Sequence, residues 1–179
     1  MTISLNYFTL DDFAFPVGRC GDASQLPTGN DLHSPAQVLR QLLIDFGFGF
    51  DGTTLPAPAW SCYASSEPDV PDNCITVYDT AGQTFGREQN LGDTLEHYGL
   101  QFRVRSSVYD VGFVKTRALS KMLDESVRLN TVNVDDATYL VYSVNRTGPI
   151  LPLGKDTPAS KRNVFTVNAT AAMRRVVLT

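Results

Sequence analysis

The run "YGLQFRVR" (98–105) holds the sharpest alternation in the chain: Tyr98, Leu100, Phe102 and Val104 fall on one side, Gly99, Gln101, Arg103 and Arg105 on the other. A period of two sustained that long predicts a strand with one buried face. A helical period begins at "SPAQ". Ser34 supplies a cap, Pro35 suits the first helical position and Gln37 completes a capping box. Val38, Leu39, Leu42, Leu43 and Phe46 then share one stripe, and Gly47 is placed to end the helix in a left-handed conformation. A second helix is expected from about 108 to 128, with Ser107 as cap and Asp110 three positions later. Its predicted inner stripe is Val111, Val114, Ala118 and Met122, with Leu119 and Leu123 beside it.

"WSCYAS" (60–65) and "NCITVY" (73–78) read as two short strands, a hairpin-like pair joined by the proline- and acid-rich "SEPDVPD". "ATYLVYSV" (137–144) is apolar on both faces and predicts a central strand. A long final strand alternates Phe165, Val167, Ala169, Ala171 and Met173 with Thr166, Asn168, Thr170 and Ala172. Thr80 to Asp93 and Asn145 to Lys161 read as long loops, which in a compact domain tend to be functional or to order on binding. Residues 1–33 have no helical period: a strand-like "ISLNYFTL" precedes the turn-rich "FPVGRCGDASQLPTGND". They form an extended arm that either crosses to a neighbouring subunit or packs locally as an edge strand. The expected organisation is that arm followed by one domain, 34–179. Its fold class is α+β: a mainly antiparallel sheet with two amphipathic helices packed on it.

Composition narrows the function classes. Charged residues make up 19% of the chain, below the ~25% of an average soluble domain, which hints at surface covered by partners. The net charge of −4 comes without a basic block, so a positive nucleic-acid groove is not expected. No apolar run approaches the ~20 residues of a membrane span, and "MTISLNYFTLDDF" lacks a signal-peptide pattern, so assembly from the cytosol is expected. The three cysteines, Cys20, Cys62 and Cys74, form no Cys-x-x-Cys pair and read as buried thiols rather than as a disulfide framework or zinc knuckle.

"NCITVYDTAGQ" (73–83) is written like the strand-to-switch segment of a small GTPase. That chemistry also requires a Gly-x-x-x-x-Gly-Lys-[Ser/Thr] phosphate cradle at a helix start. Gly-Lys occurs once, at Gly154-Lys155, followed by Asp156 in a proline-rich loop. Asp79 therefore has no phosphate site to serve, and the segment reads as a polar turn leaving a strand. Cys74 or Cys62 beside His97 would be needed for thiol catalysis, but His97 sits at a strand entrance. The pairs Asp11-Asp12, Asp124-Glu125 and Asp135-Asp136 look like solvated turns or helix faces, and the sequons at Asn145 and Asn168 are chance matches. Catalytic residues, metal ligands and cofactors are accordingly all expected to be none. Arg103 and Arg105 project in parallel from one strand face. They are either solvated or a subunit contact pairing with acids such as Asp93, Glu96 or Asp124.

The segments "AQVLRQLLIDFGFG", "EPDVPDNCITVYDTAG", "LEHYGLQFRVRSSVYDVGFVKTRALSKMLDE" and "GPILPLGKDTPASKRNVFTVN" resemble, in order, the bacteriophage minor capsid and tail-terminator family, over about residues 36–170. The arm of residues 1–33 lies outside the similarity. The resemblance implies a structural protein of the virion neck. Such proteins form a ring, usually of six copies, on the head-proximal end of the tail tube. The ring stops tube growth and meets the head-completion proteins, while DNA passes the lumen without sequence-specific binding and no membrane is involved. A head-side stopper or adaptor, or another tail component, is the nearer alternative; a small cytosolic enzyme is the remote one. The expected subunit or tube contacts are Arg87 and Glu88 in the first long loop, Lys155 and Asp156 in the second, and Arg103 with Arg105. Charge reversal at Arg87 or Lys155 is expected to impair assembly while leaving the isolated chain folded. Virion yield and the far-ultraviolet circular dichroism of the purified variants check this, and normal yield from both would contradict it.

Overall fold

Helix α1 (Pro35–Asp45) starts as its sequence dictates. The Ser34 side chain accepts from the Gln37 backbone N–H, and the Gln37 side chain accepts from the Ser34 N–H. Gly47 takes φ +71° just past the last turn, a conformation open to glycine at little steric cost. Val38, Leu39, Leu42 and Leu43 are buried and Phe46 packs against the same core. The structure is a computed structural model that describes residues 33–51, 60–87, 94–156 and 161–176; the side chains of 84–87 and 94–96 are outside the description. The expected arm therefore lies outside the described residues, save His33.

Among the described residues seven strands form one sheet: β1 (Ser61–Ala64), β2 (Cys74–Arg87), β3 (Thr94–Ser106), β4 (Arg128–Val134), β5 (Ala137–Arg146), β6 (Leu151–Lys155) and β7 (Asn163–Val176). The spatial order is β1-β2-β3-β7-β5-β4, and β6 pairs with β7 at the end that β5 leaves free. All pairings but one are antiparallel. The exception corrects the expected hairpin: β1 runs parallel to β2, with Cys62 opposite Ile75. The short proline-rich link carries the chain back to start β2 beside the beginning of β1, as a parallel pair demands.

The fold is thus α+β but dominated by strands. Helix α1 lies against β1 and β2 at one end of the strand order and against β4 at the other, so the sheet curls around it. Helix α2 (Tyr109–Glu125) packs on β3, β5 and β7. One face of the sheet, with Ile75, Val77, Leu100, Phe102, Val104, Phe165 and Val167, makes the core under the helices.

The expected loop from Thr80 to Asp93 is corrected as far as Arg87. Strand β2 continues through Asp-Thr-Ala-Gly-Gln with an irregularity between Thr80 and Gln83, and pairs on to Arg87 opposite Thr94. Ala81 and Gly82 read as a turn because small residues are poor strand formers, yet at a bulge they let two backbones approach. Two strands, β4 and β6, were not expected. Strand β4 is rich in Asn and Thr with only Val132 buried, and its turn is Asp135-Asp136 rather than a glycine pair, with Asp135 at φ +47°. The second long loop holds β6, whose five residues are all exposed and show no apolar period.

Helix α2 departs furthest from expectation. Val108, not Ser107, occupies the cap position and makes no side-chain cap bond; the Ser106 hydroxyl bonds the Val108 backbone instead. The buried stripe is Gly112, Thr116, Leu119, Ser120, Met122 and Leu123, while Val111 and Val114 face outward. Apolar periodicity missed this because the first turns approach the sheet through small residues. At Gly112 a β-carbon would lie 2.6 Å from Phe165 Cε2 and 2.8 Å from Ser106 Cβ. Gly112→Ala is expected to cost about 1–3 kcal/mol by overpacking, although the same exchange in an open helix stabilises. Gly148→Ala, with nothing within 4 Å of the added carbon, is the matched control and should stay within about 0.5 kcal/mol. Urea denaturation of the two variants checks both values.

Candidate functional site

Asp79, the residue that made the strand look like a nucleotide switch, serves helix α1. Its Oδ1 accepts the Ala36 backbone N–H at 2.8 Å. That puts a carboxylate on the positive end of the helix and satisfies one of its free donors. The bulge beyond it borders an open cleft of about 340 Å³ lined by Pro35, Asp79, Gln83, His97 and Tyr98 among others.

The sheet face away from the helices carries the densest charge. Arg103 and Arg105 project from β3 as the alternation requires, and both meet Glu67. Arg103 Nε lies 3.0 Å from Glu67 Oε2, and Arg105 Nη1 lies 2.9 Å from Oε1. The Arg103 Nη2 donates to Asp156 at 2.7 Å. Arg105 Nη2 donates to the backbone carbonyls of Pro68 and Pro71, at 2.6 and 2.8 Å. The segment between β1 and β2 is thereby strapped across the open face, and Arg162 ties its far end through Asp72 at 2.7 Å.

Of the residues expected at an interface, Arg103, Arg105 and Asp156 are brought together around this strap. Their partners lie within the chain: Glu67 takes the place expected for Asp93, Glu96 or Asp124, and Asp124 is held by Arg146 at 2.6 Å. Arg105 is only 3% exposed and faces its own loop. Lys155 is exposed on β6. Arg87 ends β2, and Glu88 lies outside the described residues. The sequence reading missed Glu67. Its signal was chemical: two parallel arginines on a half-covered strand face need an acid, and "SEPDVPD" is the nearest acid-rich segment in space.

The thiols are buried. Burial pushes Cys62 up to about 12 and Cys74 up to about 11 from the ordinary 9.0, so both stay protonated at neutral pH. Lys115 lies over the rings of Phe48 and Trp60, 4.9 and 5.6 Å from their centroids, and burial lowers its ammonium pKa. His33 contacts the Tyr139 hydroxyl and Asp135. Among the described residues no group of three or more His, Cys, Asp and Glu could hold a metal ion, and no helix is long and apolar enough to cross a membrane.

The other conspicuous surface is apolar. Tyr109 and Phe113 stack in parallel on the first turns of α2, with centroids 6.4 Å apart, and both meet Phe165 edge-on. Val108, Val111 and Val114 are exposed beside them; Leu151 and Leu153 are exposed on β6, Leu151 opposite Thr166 and so on the other face of the sheet.

The strap predicts a large asymmetry between ion pairs. Glu67→Gln leaves two arginines facing a neutral amide and is expected to cost about 3–5 kcal/mol, the range for breaking a buried pair. Asp51→Asn, which removes the exposed partner of Arg40, should cost less than about 1 kcal/mol. Equilibrium unfolding of both variants distinguishes the two cases.

No model of a known protein family matches the chain, and no curated protein matches it. Ten chains of solved structures match it; one of these aligns over 82% of this chain and 98% of its own with 13% identity and a TM-score of 0.44.

Proposed function

We propose that this chain is a structural subunit of a phage neck. It acts as a tail terminator that closes into a ring, of six copies, on the head-proximal end of the tail tube. The observation that carries the reading is the ordered set of segments resembling that family, which fall on α1, on the strap and β2, on β3 with α2, and on β6 with β7. The surfaces of the chain suit such a role. Beyond Gln83 and His97 the strands β2 and β3 separate from β7 as a short two-stranded ribbon paired as far as Arg87 and Thr94, while β7 runs on to Val176 against β5. Strand β6 offers a second edge with no strand beside it among the described residues. A ring of identical subunits needs two different complementary surfaces on each copy, and a short ribbon with an open edge elsewhere provides such a pair. The role is structural rather than catalytic. Its partners are other copies of the chain, the tail tube protein and a head-completion protein, and with a net charge of −4 the ring lets DNA pass without holding it.

Electron microscopy of lysates from phage carrying an early nonsense mutation in this gene tests the reading. Overlong tails unattached to full heads are the expected result. Tails of normal length beside unattached heads would place the protein on the head side of the joint, and intact virions would overturn the proposal.

A further inference from the structure

The strap carries an apolar residue out into water between two acids. Val70 is 67% exposed, and Asp69 and Asp72 are exposed on either side of it. Asp72 is held by Arg162, whereas the Asp69 carboxylate has no cationic partner among the described residues. Val70 contributes nothing to the core, and the segment is braced without it. The buried Arg105 donates through Nη2 to the carbonyls of Pro68 and Pro71, so the tip holds its shape before any partner arrives. Helix α2 offers a hollow of the opposite character. A groove of about 480 Å³ lies between the helix and the residues before β6, with Phe113 and Ile150 as its apolar lining. Arg117, Lys121 and Arg146 also line it, against a single acid, Asp124, which Arg146 already holds. Lys121 makes only a 3.8 Å exposed pair with Glu125, and Arg117 has no acidic partner among the described residues. The groove is a cationic patch on a chain whose net charge is −4.

We infer that the strap tip of one copy, residues 68–72, docks in the α2 groove of a second copy, with Val70 against Phe113 and Ile150 and Asp69 against Arg117. Each surface has what the other lacks: an unpaired carboxylate meets an unpaired guanidinium, and an exposed aliphatic side chain meets an apolar hollow. A copy does not fill its own groove. Arg103 and Arg105 hold the strap on the sheet face away from the helices, and the groove opens on the helix side. Because the two surfaces differ, the contact is head-to-tail, the kind that generates a ring where the rotation closes and a filament where it does not. The inference deepens the ring reading by naming the surfaces through which copies meet, and it rests on that reading for closure.

The test mixes two forms of the purified full-length chain at the highest soluble concentration. One is isotopically light, with photoreactive benzoylphenylalanine replacing Val70; the other is isotopically heavy and otherwise unchanged. After irradiation and trypsin, products joining light to heavy peptides report contacts between copies. The expected products join the light peptide carrying residue 70 to heavy residues 106–115 or 147–155, which carry Phe113 and Ile150. Their yield should be about fivefold above that with the probe replacing Leu129, which is equally exposed on β4. No such product, or a yield no higher than from Leu129, would overturn the proposal. Asp69→Arg on the light chain, or Arg117→Asp on the heavy chain, should each lower the yield about fivefold, and the two together should restore it. Both side chains are exposed and unpaired, so neither change disturbs folding. Loss without restoration would overturn the pairing. Overlong tails from the nonsense phage without this cross-link would sink the contact and leave the neck reading standing; the cross-link beside intact virions would do the reverse.

Discussion

Strand β3 is the constraint on which the rest of the molecule turns. It carries Leu100, Phe102 and Val104 on one face and Gln101, Arg103 and Arg105 on the other, so a slip of one residue would bury the guanidinium groups under the helices. Its two neighbours inherit the register: Ile75 and Val77 on β2, and Phe165 and Val167 on β7, stand opposite Val104 and Phe102. With one face fixed as core, the helices have only one place to go. The other face then holds two parallel cations beside each other, which would repel unless a carboxylate sits between them. Glu67 supplies it, and Arg105 uses its Nη2 to fix the backbone around that carboxylate. The helix layer and the strap are two consequences of one alternation.

That alternation was legible because it rests on apolar area, and so were α1 and the long β7. The features that stayed hidden rest on other forces. The parallel pairing of β1 and β2 is set by where a proline-rich link lets the chain re-enter. Strand β4 gains its place through backbone bonds to β5 and one buried valine, Val132, which leaves almost no pattern in sequence. Helix α2 packs through Gly112, Thr116 and Ser120, residues that a search for apolar stripes passes over. The candidate site was legible by half. Arg103 and Arg105 were visible as a parallel pair, but their partner is held by a loop with no period, and only the folded chain brings Glu67 to them. Asp79 shows the converse: a motif that looked like chemistry is helix capping.

The distribution of exposed apolar area bears on what the protein does. Among the described residues, exposed large hydrophobic side chains are concentrated on the first turns of α2 and on β6, while Phe50, Val70 and Leu129 stand apart. That is not required for folding, because Val111 and Val114 could be polar without disturbing any buried contact of the helix. The arrangement makes sense where the surface is covered by another segment or another subunit. Burying even a few hundred square ångströms there at about 25 cal/mol per Å² would contribute several kcal/mol, less the cost of ordering the covering segment. A contact of that size is strong enough to form when effective concentration is high, as within one chain or between ring neighbours, and weak enough to leave the separate chain soluble. The assembly role proposed above, in which closure waits for a target, would call for contacts of that strength.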